Sequence, residues 1–180
     1  FLRDDYLKLY MEMQNAAEYT ISSNPKKLDT KAIHQFLSQE SYWAKGISFD
    51  VVKKSIENAL CFGVYFNNEQ IGFARVVTDK ATFAYLADVF VLPAYRGKGL
   101  SKWLMETIHA HPELQNLRRW WLGTKDAHGL YEQFGWTRIN DDVAKRFMQK
   151  HNPDVYSTTN SAVGENNKEQ SVQGSDTTKA

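Results

Sequence analysis

The chain has 180 residues, 42% of them hydrophobic and 13% aromatic, which is enough to fold one domain and leaves room for a modest tail. Its 22 Lys and Arg residues balance 21 Asp and Glu residues, so the net charge of +1 argues against a nucleic-acid partner and against an anionic membrane surface. No apolar run approaches the roughly 18 residues that span a bilayer, and the start F-L-R-D-D-Y is unlike a secretory signal, so a cytoplasmic protein is expected.

Residues 1–18 have the apolar spacing of an amphipathic helix and are treated as an N-terminal helical extension. This segment could pack on the domain, bind a partner or fray, and the sequence does not choose among these. The β-prone stretch 19–22 follows, and Asn24-Pro25 ends it. The folded domain is therefore expected to begin at residue 19.

Two helices are predicted next. The first starts near Thr30, with Asp29 or Thr30 as its cap, and the second covers about residues 48–58. The aromatic pair Tyr42-Trp43 lies between them. These rings could enclose an amine substrate, and an ordinary place in the core explains them equally well.

Three β-rich runs joined by turns then predict an antiparallel meander over about residues 59–66, 71–78 and 82–92. The single cysteine, Cys61, lies within the first run. One cysteine excludes a disulfide framework and a Cys-rich zinc site, and a small buried apolar residue is the expected role. His109 and His111 do not share a helix face, so no metal site is expected.

Beyond Pro93 the pattern changes to alternating helices and strands. The predicted elements are a helix from about Ser101 to His111, a strand over 117–124, a helix over 127–134 ended by Gly135, and short strands near 136–139 and 144–148. The Trp120-Trp121 pair belongs to the core or to a dimer surface, which leaves a homodimer open. The polar segment 158–180 has almost no apolar residues and is expected to be a disordered tail.

The stretch V-L-P-A-Y-R-G-K-G-L-S places a glycine-containing loop between a strand and a helix. Backbone N–H groups at a helix start attract anions, and Gly97 and Gly99 would let an oxyanion approach the backbone. Arg96 and Lys98 add charged donors. The pattern lacks the third glycine of a dinucleotide fold and the G-K-S/T of a P-loop. A phosphate or pyrophosphate site is the natural prediction, and a tight structural turn is the alternative.

This run resembles motif A of the GNAT acetyltransferases, Q/R-x-x-G-x-G/A, with Ser101 standing in place of the last small residue. A second run, A-H-G-L-Y-E-Q-F-G-W, resembles motif B of the same family, A-x-x-L-Y-x-x-x-G-F/W, with Thr124 where the family usually has Asn. The two motifs occur in the family's order, and the resemblance covers about residues 19–156. It implies an acyl-CoA-binding N-acyltransferase domain over residues 19–157.

The resemblance implies an α/β fold in which a mixed, largely antiparallel sheet, flanked by helices, splits where the coenzyme enters. It also implies acetyl-CoA as co-substrate. The residues expected to bind it are Val89, Phe90, Val91, Arg96, Gly97, Lys98, Gly99, Leu100, Ser101, Thr124 and His128.

Acetyl transfer to an amine needs a proton acceptor for the amine and a proton donor for the leaving thiolate. A tyrosine phenol has a pKa near 10, and the resemblance puts Tyr131 beside the coenzyme sulfur, so Tyr131 is the predicted acid. The Val89 N–H is the implied donor to the carbonyl oxygen. Asp88 either receives the amine proton through water or holds the ammonium group, and a purely structural carboxylate is equally consistent. His34 and His128 are weaker candidates.

The leading function is acetylation of a small-molecule or peptide amine. Tyr42 and Trp43 are the predicted substrate-binding residues. One alternative is a non-catalytic acyl-CoA-binding or sensory module that keeps only the coenzyme cradle. Another is an interaction protein that recruits a partner through residues 1–18. The acceptor amine and the acyl chain length do not follow from the sequence.

Overall fold

A computed structural model describes residues 19–157 of the chain. The predicted N-terminal helix over 1–18 and the predicted tail over 158–180 lie outside the described residues. Within the described part, no helix is both long enough and apolar enough to cross a membrane.

One sheet of five strands organises the domain, in the order β1-β2-β3-β4-β5. The strands are β1 Tyr19–Ser22, β2 Leu60–Phe66, β3 Glu69–Thr78, β4 Phe83–Val91 and β5 Arg119–Leu122. The first four pair antiparallel, and β5 pairs parallel with β4. This confirms the mixed, largely antiparallel sheet that the sequence predicts.

The helices lie on both faces of this sheet. They are α1 Thr30–Gln35, α2 Phe49–Glu57, α3 Leu100–His109, α4 His128–Glu132 and α5 Asp141–Ala144. Asp29 caps α1 by accepting hydrogen bonds from the N–H groups of Lys31 and Ala32, each at 3.0 Å. A wider, π-helical turn over Phe36–Glu40 prolongs α1 before the chain turns toward α2.

The turn between β2 and β3 is tighter than the sequence suggests. Asn67 and Asn68 both have positive φ, 48° and 68°, which is the conformation of a two-residue hairpin turn that follows the twist of the strands. Asparagine tolerates this region better than most residues. The short turn lets β3 begin at Glu69, two residues before the predicted start.

Two apolar clusters cover the two faces of the sheet. One packs α3 on β2, β3 and β4 and includes Phe62, Val76, Leu86 and Leu104. The other packs α1 and α2 on the opposite face and includes Ile33, Phe73, Phe90 and Cys61. Burial raises the pKa of the Cys61 thiol to about 12, so the thiol stays protonated and acts as a small core residue, as expected.

The chain after Gly135 departs from the sequence prediction. The strands expected near 136–139 and 144–148 are wrong, because the structure has no strand there and forms α5 over Asp141–Ala144. Asn140 caps this helix by accepting from the Val143 N–H at 2.9 Å. Asp141 and Asp142 occupy its first turn, where negative charge is favourable.

The feature that positions the site is an irregularity in β4. The pairing of β3 with β4 shifts register between Phe73 and Arg75, and Asp88 adopts a positive φ of 54° there. An extra residue on one strand bends that strand. On the other edge, the pairing of β4 with β5 stops at Leu86 and Leu122. Residues 87–91 therefore run on without β5 beside them, and the sheet opens.

His109, at the end of α3, lies in an aromatic cage on the β5 side. Its ring contacts Trp120, Phe134 and Trp136, and the Trp136 Nε1–H donates to His109 Nε2 at 3.2 Å. That bond requires Nε2 to be unprotonated. Burial lowers the pKa of His109 below its ordinary value of 6.5, so the folded state favours the neutral ring.

We expect the protein to lose stability as the pH falls through about 6.5, because the unfolded chain protonates His109 before the folded chain does. The change to test is His109→Gln, which keeps an acceptor and removes the titration. Melting temperatures between about pH 7.5 and 5 should fall less steeply for this variant than for the wild type. The matched control is His151→Gln at an exposed histidine. Parallel curves for wild type and His109→Gln would contradict the assignment.

Candidate active site

A cleft of about 550 Å³ lies where β4 and β5 separate. It passes from the α1–α2 face of the sheet to the α4 side. Its lining comes from β3, β4, the segment before α2, the loop between β5 and α4, and α4 itself. The lining includes Tyr42, Trp43, Arg75, Tyr85, Asp88, Val89, Thr124, Lys125, Asp126 and Tyr131.

Tyr131 lies on α4 and lines this cleft. Its side chain is buried, at 8% exposure, and its hydroxyl makes no hydrogen bond to another residue in the range 19–157. Burial raises its pKa to about 12, and the nearby Tyr42 and Asp126 add to the effect. The phenol therefore stays protonated at neutral pH and is free to donate a proton into the cleft.

The loop before α4 joins the two sides of the cleft. The Lys125 N–H donates to the Tyr42 hydroxyl at 3.0 Å, across 83 positions in the chain. The Ala127 N–H donates to Thr124 Oγ1 at 3.0 Å and fixes the start of α4. Thr124, predicted to contact the coenzyme, thus also supports the helix that carries Tyr131.

Asp88 also lines the cleft, and each of its carboxylate oxygens accepts one hydrogen bond. Arg75 Nε donates to Asp88 Oδ2 at 2.6 Å, and Trp43 Nε1 donates to Asp88 Oδ1 at 3.0 Å. The positive φ at Asp88 marks the β4 bulge, and the carboxylate faces the side opposite Val89 and Val91, which pack toward α3. Trp43 is therefore tied directly to the predicted catalytic carboxylate.

Arg75 is the site residue that the sequence analysis misses. It lies in the run F-A-R-V-V, where one charged residue interrupts an otherwise apolar strand. A charge in such a run needs a partner, and the predicted neighbouring strand contains Asp88 in a similarly apolar run. That pairing of charges on adjacent strands is the signal that could have located Arg75.

The glycine loop has the geometry of an anion site. Gly97 and Gly99 have φ of 76° and 79°, which disfavours any side chain, and a Cβ on either would meet no atom within 4 Å. No side chain of the described residues caps α3, so its first N–H groups remain available. A pocket of about 190 Å³ over the loop also includes Val91, Arg96 and Ser101.

Two of the residues predicted to bind the coenzyme also make contacts within the protein. Arg96 Nε donates to the Val91 carbonyl at 2.9 Å, which folds the side chain back over the loop and leaves its terminal nitrogens for a ligand. The Phe90 side chain stacks on Phe36, with ring centroids 3.8 Å apart, so only the backbone of Phe90 can face the opening of the sheet.

The histidine candidates lie apart from the cleft. His34 Nε2 lies 3.1 Å from the Ile47 carbonyl, and its ring meets Phe49 edge-on. His128 begins α4 and lines a neighbouring pocket with Trp136 and Arg138. No group of three His, Cys, Asp or Glu side chains between residues 19 and 157 is arranged to hold a metal ion.

Comparison with known proteins identifies the fold and the family. A sequence model of the GNAT acetyltransferase domain matches residues 57–138. A proposed acetyltransferase of Gibberella zeae is 30% identical over 134 residues, which are 63% of this chain and 76% of that protein. The ribosomal protein bS18-alanine N-acetyltransferase of Haemophilus influenzae is 30% identical over 89 residues, covering 47% of this chain and 58% of its own length.

A solved structure agrees with these matches. The crystal structure of a proposed GNAT-family acetyltransferase from Xanthomonas campestris pv. campestris superposes with a TM-score of 0.75. It is 47% identical, and the alignment covers 78% of this chain and 97% of that one. The match spans most of the described domain.

Replacing Thr124 tests whether the loop before α4 depends on its hydroxyl. Thr124→Val keeps the shape but removes the acceptor for the Ala127 N–H, and should lower the free energy of unfolding by about 1 kcal/mol. Thr124→Ser keeps the hydroxyl acceptor, so it should lower the free energy of unfolding by less than Thr124→Val does. Urea denaturation of the three proteins measures the difference. Equal losses for Val and Ser would show that the hydroxyl does not support the helix.

Proposed function

This chain belongs to the GNAT family of acetyltransferases, and from that premise we propose that it transfers the acetyl group of acetyl-CoA to a primary amine by direct attack within a ternary complex. The observation that carries the proposal is the cleft at the opening of the sheet, whose lining includes a protonated Tyr131 and the Asp88 carboxylate. An acyl donor and an amine can meet there from opposite faces of the sheet.

The coenzyme is proposed to lie along the free stretch of β4. The uncapped start of α3 and the amides near Gly97 and Gly99 suit its pyrophosphate. The unused nitrogens of Arg96 and the exposed Lys98 would add positive charge. Residues 87–91 lack a β5 partner, and their backbone can hydrogen-bond to an extended amide-containing chain.

When bound, acetyl-CoA supplies an activated thioester. The reaction forms a bond between nitrogen and the acetyl carbon and breaks the bond between that carbon and sulfur. The Val89 N–H is the proposed donor to the carbonyl oxygen, on which negative charge develops. The thiolate that leaves needs a proton, and Tyr131 has one to give throughout the neutral range because its pKa is about 12.

The amine must lose a proton before it attacks. Both oxygens of Asp88 already accept hydrogen bonds, from Arg75 and from Trp43, so the carboxylate is held in one orientation. This favours Asp88 as the anion that positions the amine, with the proton leaving through water in the cleft. Each carboxylate oxygen has a second lone pair for that contact.

A peptide amine is the second candidate acceptor. The relative from Haemophilus influenzae is named for acetylating an alanine of a ribosomal protein. The cleft of this chain is open at its surface, where Tyr42 is 56% exposed, so a peptide terminus could also enter.

Tyr131→Phe tests the proposed acid. Removing the hydroxyl should lower kcat for thiol release from acetyl-CoA by at least about tenfold, because the thiolate then leaves unprotonated. Acetyl-CoA binding, measured by calorimetry, should change little.

In the wild type, activity should rise with pH as the amine deprotonates and show no fall before about pH 10, since Tyr131 stays protonated there.

Tyr65→Phe is the matched control. The Tyr65 hydroxyl is buried on the α1 side, has no hydrogen-bond partner in the described part of the chain and does not line the cleft. Its removal should leave turnover unchanged. Equal activity of Tyr131→Phe and wild type would remove Tyr131 from the mechanism. Acetyl-CoA binding without turnover of any amine would favour a sensory module, and no binding would reject the proposed function.

A further inference from the structure

The Arg75–Asp88 pair leaves unused hydrogen-bonding capacity inside the cleft. The side chains are 19% and 10% exposed, and Nε of Arg75 makes the contact with Asp88. The two terminal nitrogens of this guanidinium carry four N–H groups, and none donates to a residue in the described range. Donors of this kind on the wall of an open cleft can bind the acceptor atoms of a ligand.

The arrangement sets a cation and an anion side by side. Arg75 Nε and Asp88 Oδ2 are 2.6 Å apart, and Trp43 anchors the second oxygen of the carboxylate. A ligand that matches this pair carries an amine for Asp88 and a carboxylate for Arg75 on neighbouring atoms. The planar guanidinium can hold a carboxylate through two parallel hydrogen bonds, which a single ammonium cannot do.

The rest of the cleft wall indicates what else the ligand carries. Three aromatic side chains, Tyr42, Trp43 and Tyr85, line it with 56%, 40% and 40% of their surface exposed. Tyr42 and Trp43 meet edge-on with centroids 5.0 Å apart, so their rings form one continuous aromatic surface. Such rings can pack against a flat or large apolar group on the ligand.

The charged residues that line the cleft also favour a ligand with one ammonium and one carboxylate. Lys125 Nζ lies 5.8 Å from the centre of the Tyr42 ring and gives the cleft a second cation. The lining carboxylates, Asp88 and Asp126, are therefore matched by two basic groups. A polyamine would meet this balance unfavourably, whereas one ammonium beside one carboxylate suits it.

We propose that the acceptor is a free α-amino acid with an aromatic or other large apolar side chain, its carboxylate bound by Arg75 and its amine directed by Asp88. This inference rests on the proposed acetyltransferase function and adds the class of substrate. The amine nitrogen bonds to the acetyl carbon as the carbon–sulfur bond breaks, and the nitrogen loses its proton to water. Tyr131 protonates the sulfur and then regains a proton from water. The product is an N-acetyl amino acid and free coenzyme A.

The experiment compares phenylalanine with phenethylamine, phenylalaninamide and a peptide that begins with Phe, by thiol release from acetyl-CoA. Only phenylalanine has the carboxylate next to the amine, so its kcat/KM should exceed that of each other amine by at least about tenfold. Arg75→Gln should reduce this preference for phenylalanine over phenethylamine by at least about tenfold. Arg75→Lys keeps the positive charge but loses the planar guanidinium. This variant should reduce the preference for phenylalanine by less than Arg75→Gln does.

Arg118→Gln, at an exposed arginine outside the cleft, is the matched control and should keep the wild-type preference. Melting temperature and acetyl-CoA binding establish that each variant is folded. Equal rates for phenylalanine and phenethylamine, faster acetylation of the peptide, or an unchanged preference in Arg75→Gln would overturn the proposal. So would intact acetyl-CoA binding with no turnover of phenylalanine, whereas loss of acetyl-CoA binding in the wild type would reject the acetyltransferase function as well.

Discussion

The separation of β4 from β5 beyond Leu86 and Leu122 is the constraint on which the site depends. Parallel strands that stay paired would close the sheet and leave no room for a ligand between them. The bulge at Asp88 bends β4 at this point and places an acidic side chain at a left-handed backbone position, which costs about 1–2 kcal/mol for a residue other than glycine. The contacts of Asp88 with Arg75 and Trp43 help to offset that cost.

The same opening brings distant segments together. Tyr42 and Trp43 precede α2, Arg75 belongs to β3, and Tyr131 lies on α4, yet all four line one cleft. The hydrogen bond from the Lys125 N–H to the Tyr42 hydroxyl links its two walls directly. Because the walls are connected in this way, the proposed acceptor site and the proposed acid belong to one structural unit.

Sequence patterns predict the local features of this protein well. The glycine loop, the capped α1, the α2 helix and the meander follow from glycine placement, capping residues and alternation, and the structure contains all of them. The run A-H-G-L-Y-E-Q-F-G-W also predicts the helix that carries Tyr131. By contrast, the strands expected after Gly135 are wrong, because Asn140 and the two aspartates that follow favour a short helix whose start depends on local capping.

Charge pairing on adjacent strands could have located Arg75, but its exact position relative to Asp88 depends on cross-strand register. The bulge shifts the pairing between Phe73 and Arg75, so Arg75 pairs with Ala87, and Asp88 contacts the guanidinium from the bulged part of β4. Alternation alone cannot predict where a strand gains an extra residue. The state of Tyr131 is likewise a tertiary property, because burial raises the pKa of its phenol.

The most direct test of this account is a crystal structure of the protein with coenzyme A. We expect the pyrophosphate on the amides of residues 96–101 and the extended arm beside residues 87–91. The thiol should lie between Val89 and the Tyr131 hydroxyl, within about 3.5 Å of that hydroxyl. Coenzyme A bound instead in the neighbouring pocket beside Trp136 and Arg138, or a thiol directed away from Tyr131, would contradict it.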